Sequence, residues 1–285
     1  MDQNSVMEQT GTSQATERLQ SVLAERALTE ASPSVAARSS EAKALRAEII
    51  AVGRKLWQRQ YVDGNGGNIS ARLGSCYLLC TPTMMSKGDL ESADICLSDL
   101  EGNILAGDRM RTSEILLHLA IYEANPRARA VVHCHPPHAT AFAVTGSAPP
   151  CGYVSEYEYF VGPAAVAPYE TPGTQAFAET VVPFVRDHNT ILLANHGVVC
   201  WSDTVTHAEW LVEILENYCR TWTIAQQIGR PLDPIPAAKI QEILALKSQA
   251  GLPDARLNGT RSLKSPTVVP EPDGQTVVEC IVPWL

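Results

Sequence analysis

The first strong pattern in the chain is a set of apolar residues spaced three and four positions apart. The set follows Ser40 and consists of Leu45, Ile49, Val52 and Leu56. This spacing places the four side chains on one face of an amphipathic helix. The polar, glycine-rich run DGNGGN then predicts the turn that ends the helix.

Short runs rich in branched and aromatic residues come after this turn. They are ISARL, CYLLCTP and ADICLSDL. Runs of this length, separated by turn residues, predict a hairpin-like series of strands in an antiparallel or mixed sheet.

The second half of the chain alternates between helical and strand patterns. Helices are predicted for SEILLHLAIYEAN, for PPHATAFAVTG and for residues 204–229, with Thr112 and Ser113 capping the first of them. Buried strands are predicted for RAVVHCH and TILLANHGVVCW. Strands that alternate with helices indicate an α/β architecture.

The two ends of the chain differ in composition from the middle. Residues 1–40 are polar and lack aromatic residues, so they predict a partly disordered extension that contains at most one short helix and a linker, SPSVAARSS. Residues 41–250 carry the periodic segments and predict one folded domain. Residues 251–285 are rich in Pro, Gly and Asp and predict a tail that ends in a small strand.

Charge and hydropathy exclude several classes of partner. The chain has 22 Lys and Arg against 31 Asp and Glu, a net charge of −9, so nucleic acid and anionic membranes are not expected as partners. The sequence has neither an apolar run long enough to span a membrane nor a signal-peptide pattern at its start, and we expect a cytoplasmic protein. Its eight cysteines occur singly, mostly in apolar runs, and are expected to be reduced and buried.

Three histidines form the first candidate site. His133 and His135 end a predicted strand, and alternate side chains of a strand point to one face, so both imidazoles can bind one ion. A third histidine, His196, precedes a glycine at another strand end. Three histidines with an open fourth position are typical of a catalytic zinc-type site. Buried, hydrogen-bonded core histidines are the alternative interpretation.

A carboxylate lies close to this motif in the chain. Glu114 and His118 are four residues apart on the preceding helix and share a face, which directs Glu114 toward the strand ends. A carboxylate in the first turn is also favoured by the helix dipole alone, whatever its function. The loop GNGGNIS could present backbone N–H groups to an anion, or could be only a tight turn.

The order of the motifs GNIS, TPT, TSE, H-x-H and NHG resembles the class II aldolase/adducin family, and within it the L-fuculose-1-phosphate aldolase type. The resemblance covers about residues 40–250. It implies a three-layer α/β/α fold with a central, largely antiparallel sheet. It also implies a homotetramer with its sites at subunit interfaces, and an anionic small-molecule substrate.

The resemblance also implies roles for particular residues. It assigns a divalent metal to three histidines, with Zn²⁺ first and Fe²⁺, Mn²⁺ or Co²⁺ as alternatives, and it assigns an acid/base role to Glu114. It implies that Tyr153 reaches a neighbouring subunit's site, and it assigns phosphate binding to five residues. The metal ligands are His133, His135 and His196; the phosphate-binding residues are Gly67, Asn68, Thr83, Thr112 and Ser113.

The chain departs from the family pattern at three places, two of which, at Met84 and Asn65, fall at the phosphate pocket. Met84 stands where Thr-Gly is typical after Thr-Pro, Asn65 replaces a small hydroxyl residue, and the family's C-terminal tyrosine has no counterpart. The implied reaction is aldol cleavage of a sugar phosphate, or a related hydroxy-keto compound, through a metal-stabilised enediolate. Decarboxylation of a dihydroxyaromatic or keto acid, 4-epimerisation of a pentulose phosphate, and a non-catalytic adducin-like scaffold are the alternatives.

Overall fold

The computed structural model describes residue 23, residues 26–257 and, in backbone alone, residues 268–270 and 276–278. Residues 26–30 are helical and Ser92–Asp94 form a short 3-10 helix; the further helices are α1 Pro33–Ala36, α2 Ser40–Gln58, α3 Ile115–Ala124, α4 Pro137–Thr145, α5 Ser155–Phe160, α6 Gln175–Glu179, α7 Val205–Ile228 and α8 Ala237–Gln249. Its strands are β1 Asn68–Leu73, β2 Tyr77–Cys80, β3 Cys96–Asp99, β4 Ile104–Ala106, β5 Ala130–Cys134, β6 Ala165–Ala167, β7 Thr190–Leu193, β8 Gly197–Ser202, β9 Val268–Pro270 and β10 Thr276–Val278.

A central sheet organises the described part of the chain. Eight strands lie in the order β4-β3-β2-β1-β5-β8-β7-β6, and only the edge pair β6–β7 is parallel. The register pairs Asn68 of β1 with His133 of β5, and His133 with Val199 of β8. The predicted α/β fold with a largely antiparallel sheet is confirmed.

Helices cover both faces of this sheet, because each face carries its own row of apolar side chains. On one face, α2, α4 and α7 enclose the main hydrophobic core, which includes Val132 and Cys134. On the other face, α3 and α6 pack over a second apolar cluster that includes Val131 and Val199. Since side chains alternate along β5, His133 points to the α3 side. The result is a three-layer α/β/α arrangement.

Three local predictions are wrong. The run TILLANHGVVCW, predicted as one strand, is two antiparallel strands, β7 and β8, joined by a tight turn in which Asn195 adopts a φ of 56°. The helix predicted to be capped by Thr112 and Ser113 begins at Ile115, with Glu114 as the residue before it. The predicted linker SPSVAARSS contains α1, and Ala36 in it is fully buried.

The first described residues pack against the folded domain. Leu28 and Ala36 belong to the main core, and the Tyr77 hydroxyl donates to the carbonyl of Ala31 over 2.7 Å. Most of the helix predicted for ERLQSVLAERAL lies outside the described residues, and the predicted division into extension, domain and tail stays a prediction. Six of the seven described cysteines are buried and Cys76 is exposed, all of them as free thiols. No helix in the described ranges is long and apolar enough to cross a membrane.

Candidate metal centre

The three predicted histidines come together at one edge of the central sheet. This edge is where β5 ends, where β1 begins, and where the turn between β7 and β8 lies. The imidazole centroids are 4.7–5.0 Å apart, and one ligand atom from each ring lies within 4.8 Å of the others. His133 is fully buried, and His135 and His196 are partly buried. The alternation argument for the H-x-H motif is therefore confirmed in its geometry.

Two glycines allow the backbone to pack closely around these rings. Gly67, at a φ of +68°, leaves no room for a side chain, because a Cβ there would lie 2.8 Å from the carbonyl oxygen of His133. Gly197 is as tightly enclosed, since a Cβ would lie 2.5 Å from the carbonyl oxygen of Cys134 and 2.6 Å from Cδ2 of His135. The glycines in the GNIS and NHG motifs thus allow β1 and β8 to lie close to the end of β5, which carries His133.

The tautomer of His133 is fixed by its backbone partner. The Nδ1–H of His133 donates to the carbonyl of Val198 over 2.8 Å, because a carbonyl can only accept, so Nε2 carries a lone pair. Nε2 of His135 lies 3.1 Å from that atom. Burial lowers the pKa of all three imidazoles, of His135 to about 4, which keeps the rings neutral.

Glu114 lies beside the three imidazoles. Its carboxylate oxygens lie 3.3 Å from Nε2 of His133 and 3.5 Å from Nε2 of His196. Neutral imidazole nitrogens converging beside a carboxylate form a donor set that fits a divalent cation of the zinc or iron type. The residues present therefore fit the metal that the sequence pattern implies.

The residues assigned to phosphate binding surround this group. Asn68 donates from Nδ2 to Oε2 of Glu114 over 2.7 Å, and the Thr112 hydroxyl accepts from the Glu114 backbone N–H over 3.3 Å. Thr83 is tied to the same segment, since its N–H donates to the carbonyl of Met110 over 3.0 Å. Ser113 is exposed. Asn68 begins β1 and the other three lie on loops, and the contact of all four with a phosphate remains a prediction.

Tyr153 lies in a different environment. Its ring packs edge-on against Trp222 of α7, with centroids 5.0 Å apart. Its assignment to a neighbouring subunit's site stays a prediction.

The two departures at the pocket contact each other. Met84 adopts a left-handed φ of 55°, a region that favours glycine, and its side chain is 80% exposed. The Asn65 amide donates to the Met84 sulfur over 3.4 Å. Met84 thus has a backbone conformation typical of glycine, the residue of the family pattern at this place, but it adds a thioether side chain to the surface of the pocket.

Sequence reasoning missed a buried lysine beside the site. Lys87 is 1% exposed, and its ammonium donates to the carbonyls of Asn65 and Met85 over 3.0 and 2.7 Å. Burial lowers the pKa of Lys87 from 10.5 to about 8, which the negative charge of Glu114 partly opposes. A lysine in the polar run MMSKGDL gave no periodic signal that could have predicted this burial.

Comparison with known proteins gives this geometry a family. Residues 47–223, more than half of the chain, match the Class II Aldolase and Adducin N-terminal domain. The chain belongs to the class II aldolase/adducin family. Enzymes of this class are divalent-metal-dependent, and the chain is a carbon–carbon lyase of the class II aldolase type.

Individual members of the family differ in their reactions. The chain is 38% identical over 170 residues to an L-fuculose phosphate aldolase of Methanococcus maripaludis, covering 60% of this chain and 91% of that one. It is 33% identical over 182 residues to a 3-oxo-tetronate 4-phosphate decarboxylase of Haemophilus influenzae, covering 62% and 86%. A solved L-fuculose 1-phosphate aldolase superposes with a TM-score of 0.65 at 25% identity, covering 74% of this chain and 97% of that one.

Proposed function

We propose that the protein is a lyase that cleaves a carbon–carbon bond next to a carbonyl in a small phosphorylated sugar, in the manner of an L-fuculose-1-phosphate aldolase. The observation that carries this proposal is the group of three imidazoles with the Glu114 carboxylate within 3.5 Å of two of them. Similarity to aldolases over most of their length supports it.

His133, His135 and His196 would hold the metal ion, with Zn²⁺ as the first choice and Fe²⁺, Mn²⁺ or Co²⁺ as alternatives. A divalent cation supplies Lewis acidity, which stabilises the negative charge of an enediolate when the carbon–carbon bond breaks.

Glu114 is the group that moves the proton in this proposal. Glu114 is 8% exposed, and its carboxylate lies 3.3 Å from Nε2 of His133, so it would lie next to a substrate held at the histidine group. The hydrogen bond from Asn68 keeps one carboxylate oxygen engaged, which limits rotation of the side chain. Tyr153 of a neighbouring subunit in a homotetramer would relay the proton that the substrate's hydroxyl loses as it becomes the carbonyl of the leaving aldehyde.

The substrate's phosphate would contact the loops that carry Gly67, Thr83 and Ser113, together with the polar groups of Asn68 and Thr112. The overall charge of −9 repels an anion, so its capture depends on these local donors. The buried ammonium of Lys87 adds a positive charge beneath the same loops.

Decarboxylation of a 3-oxo sugar acid phosphate is the second candidate. Two observations favour it: the similarity to the Haemophilus decarboxylase, and the thioether of Met84, which changes the pocket surface where the family pattern has glycine. Aldol cleavage and decarboxylation both leave a negative charge on the carbon next to a carbonyl, so the same metal site could support either reaction. A 4-epimerase of a pentulose phosphate uses the same centre.

A substrate panel distinguishes these reactions. Purified protein loaded with Zn²⁺ is assayed with L-fuculose 1-phosphate, 3-oxo-tetronate 4-phosphate and L-ribulose 5-phosphate. The products measured are an aldehyde, carbon dioxide and an epimer, respectively. Aldehyde release supports the proposal, and carbon dioxide or epimer formation alone replaces it with the corresponding alternative. Absence of turnover with all three, together with absence of bound metal, would favour the scaffold interpretation.

Two variants test the assigned roles. His133→Ala should lose tight metal binding and activity together, whereas His207→Ala, at an exposed histidine paired with Asp203, should retain both. Glu114→Gln should retain metal but lose most turnover, and Glu209→Gln, at a buried carboxylate paired with Lys55, serves as its control. A Glu114→Gln enzyme with normal turnover would reduce Glu114 to a residue that only precedes a helix.

A further inference from the structure

A continuous row of buried polar side chains leads from Glu114 into the protein interior. Asn68 and Ser70 lie two residues apart on β1 and face α3, while His118 and Tyr122 lie at four-residue intervals after Glu114 on α3. Side chains two residues apart in a strand share a face, and so do side chains four residues apart in a helix, which brings the five side chains together. All of them are buried, and Ser70 and His118 are fully so.

Short hydrogen bonds join neighbours along the row. Oδ1 of Asn68 lies 2.5 Å from Nε2 of His118, and Nδ1 of His118 lies 2.7 Å from Oγ of Ser70. The Ser70 hydroxyl lies 2.8 Å from the hydroxyl of Tyr122. Together with the 2.7 Å bond from Asn68 to Glu114, every side chain in the row contacts the next.

Donor and acceptor chemistry fixes the direction of these bonds. The carboxylate of Glu114 only accepts, so the Asn68 amide must present its NH₂ group to it and its carbonyl oxygen to His118. That oxygen requires a proton on Nε2 of His118. Burial lowers the pKa of His118 to about 3, so the ring is neutral and its Nδ1 accepts from Ser70. The Ser70 oxygen is then free to accept from Tyr122.

The inner end of the row is also anchored. The Arg72 guanidinium donates to the backbone carbonyl of Tyr122 over 2.7 Å and lies 4.8 Å from the centre of its ring. Burial raises the pKa of Tyr122, which keeps its hydroxyl protonated and able to donate. Tyr122 can therefore donate to Ser70, as the direction set from Glu114 requires.

We propose that His118 is a positioning residue, which holds the Asn68 amide in one orientation and thereby fixes the Glu114 carboxylate toward the histidine group. His118 itself contacts no substrate, because its side chain is fully buried. Without its Nε2–H, the Asn68 amide can rotate and turn its oxygen toward Glu114, where it repels the carboxylate. This inference rests on the proposed function only in taking Glu114 as the proton-transferring group.

The direction of the bonds can be tested without a substrate. Magic-angle-spinning NMR of the full chain labelled with ¹⁵N at its seven histidines reports the tautomer of each ring, and the spectrum of His118→Gln assigns His118. The expected result is a neutral ring with its proton on Nε2 throughout pH 5.5–8.5, a range that lies well above the pKa of about 3. A proton on Nδ1, or a charged ring, would overturn the proposal.

Kinetics test the effect on Glu114. Glutamine can place an N–H where Nε2 of His118 lies, whereas the shorter asparagine cannot. His118→Asn should lower kcat about 100-fold with little change in KM or metal content, and His118→Gln should keep kcat within about 5-fold of the wild type. His188→Asn, at a histidine bonded to the carbonyl of Pro163, is the matched control and should leave kcat unchanged.

If His118→Asn and His118→Gln are both folded and lose kcat by the same factor, the result contradicts a positioning role. If the His118 variants do not fold, Ser70→Ala replaces them. In Ser70→Ala the Asn68 oxygen still requires the proton on Nε2 of His118, so one unchanged tautomer is expected in the NMR spectrum, and a mixture of tautomers contradicts the proposal. If the wild type turns over none of the tested substrates, the proposed function fails, while the NMR result still decides the direction of the bonds.

Discussion

Lys87 links the stability of the fold to pH in a way that can be calculated. The folded protein holds this side chain 1% exposed, and burial lowers its pKa to about 8 from the 10.5 of a free side chain. In the unfolded chain the ordinary pKa applies. Below pH 8 both states carry the proton, and the folded state bears the full cost of a buried charge. Between pH 8 and 10.5 the folded state has released the proton while the unfolded state still holds it, so stability rises with pH.

The size of this effect follows from the difference between the two pKa values. A shift of one pKa unit corresponds to about 1.4 kcal/mol, so the whole effect amounts to about 3 kcal/mol. About 2 kcal/mol of it should appear between pH 7 and pH 9.5. At pH 7 the folded protein has hardly begun to release the proton, and the part between pH 9.5 and pH 10.5 lies outside this range.

The perturbation is Lys87→Met, which keeps the length of the side chain and removes the charge. Urea unfolding of metal-free protein in a chelator, at intervals from pH 7 to 9.5, gives the free energy of unfolding of both proteins. The variant also loses the donors to Asn65 and Met85, but that loss does not depend on pH. The wild type should therefore gain about 2 kcal/mol relative to the variant over this range.

A matched control is Lys239→Met, at an exposed lysine paired with Glu242, where the difference from wild type should not change with pH. A constant difference for Lys87→Met as well would refute the reasoning, because the Lys87 ammonium would then be as well solvated in the fold as in water.

Other predictions concern the three-histidine group and a buried ion pair. Gly197→Ala would force apart β5 and β8, because the added Cβ meets the Cys134 carbonyl and the His135 ring. Zinc affinity, measured by competition with a chelator, should therefore fall about 100-fold. An unchanged affinity would contradict the packing argument. Lys247→Met should cost about 1–3 kcal/mol in urea unfolding, because it removes one buried partner of Asp254 while Arg256 remains, and a cost below about 1 kcal/mol would show that the pair is not needed. Removal of metal by a chelator should lower Tm, and zinc should restore it; an unchanged Tm would contradict metal binding to the folded state.

Periodicity was a good guide wherever one face of an element is buried. The apolar face of α2 and the alternation of β5 both appear in the structure as predicted, and the second of these places His133 beside His135. The turn at Asn195 was missed because the apolar runs TILL and GVVCW follow each other closely, although the polar residues Asn195 and His196 between them are the signal that divides the two strands.

The interior polar contacts were harder to predict. Glu114 and His118 could be placed on one helix face from their spacing, but the partners Ser70 and Tyr122 depend on how β1 packs against α3. Spacing within one element cannot supply that information, since a serine in a strand and a tyrosine in an apolar helix are ordinary core residues. The burial of Lys87 is likewise decided by two loops that meet only in the folded chain.

The order of strands in the sheet has a consequence for how the enzyme gains its activity. His133 lies in β5, His135 directly after it and His196 in the β7–β8 turn, all on one side of the β1–β5 pairing, whereas Asn68 and Ser70 come from the other side. A refolding chain can therefore bind metal in its second half before β1 joins β5, and that joining brings the Asn68 amide to the Glu114 carboxylate. Activity should thus return later during refolding than the absorbance of bound cobalt, with a lag set by the closure of a single strand pair.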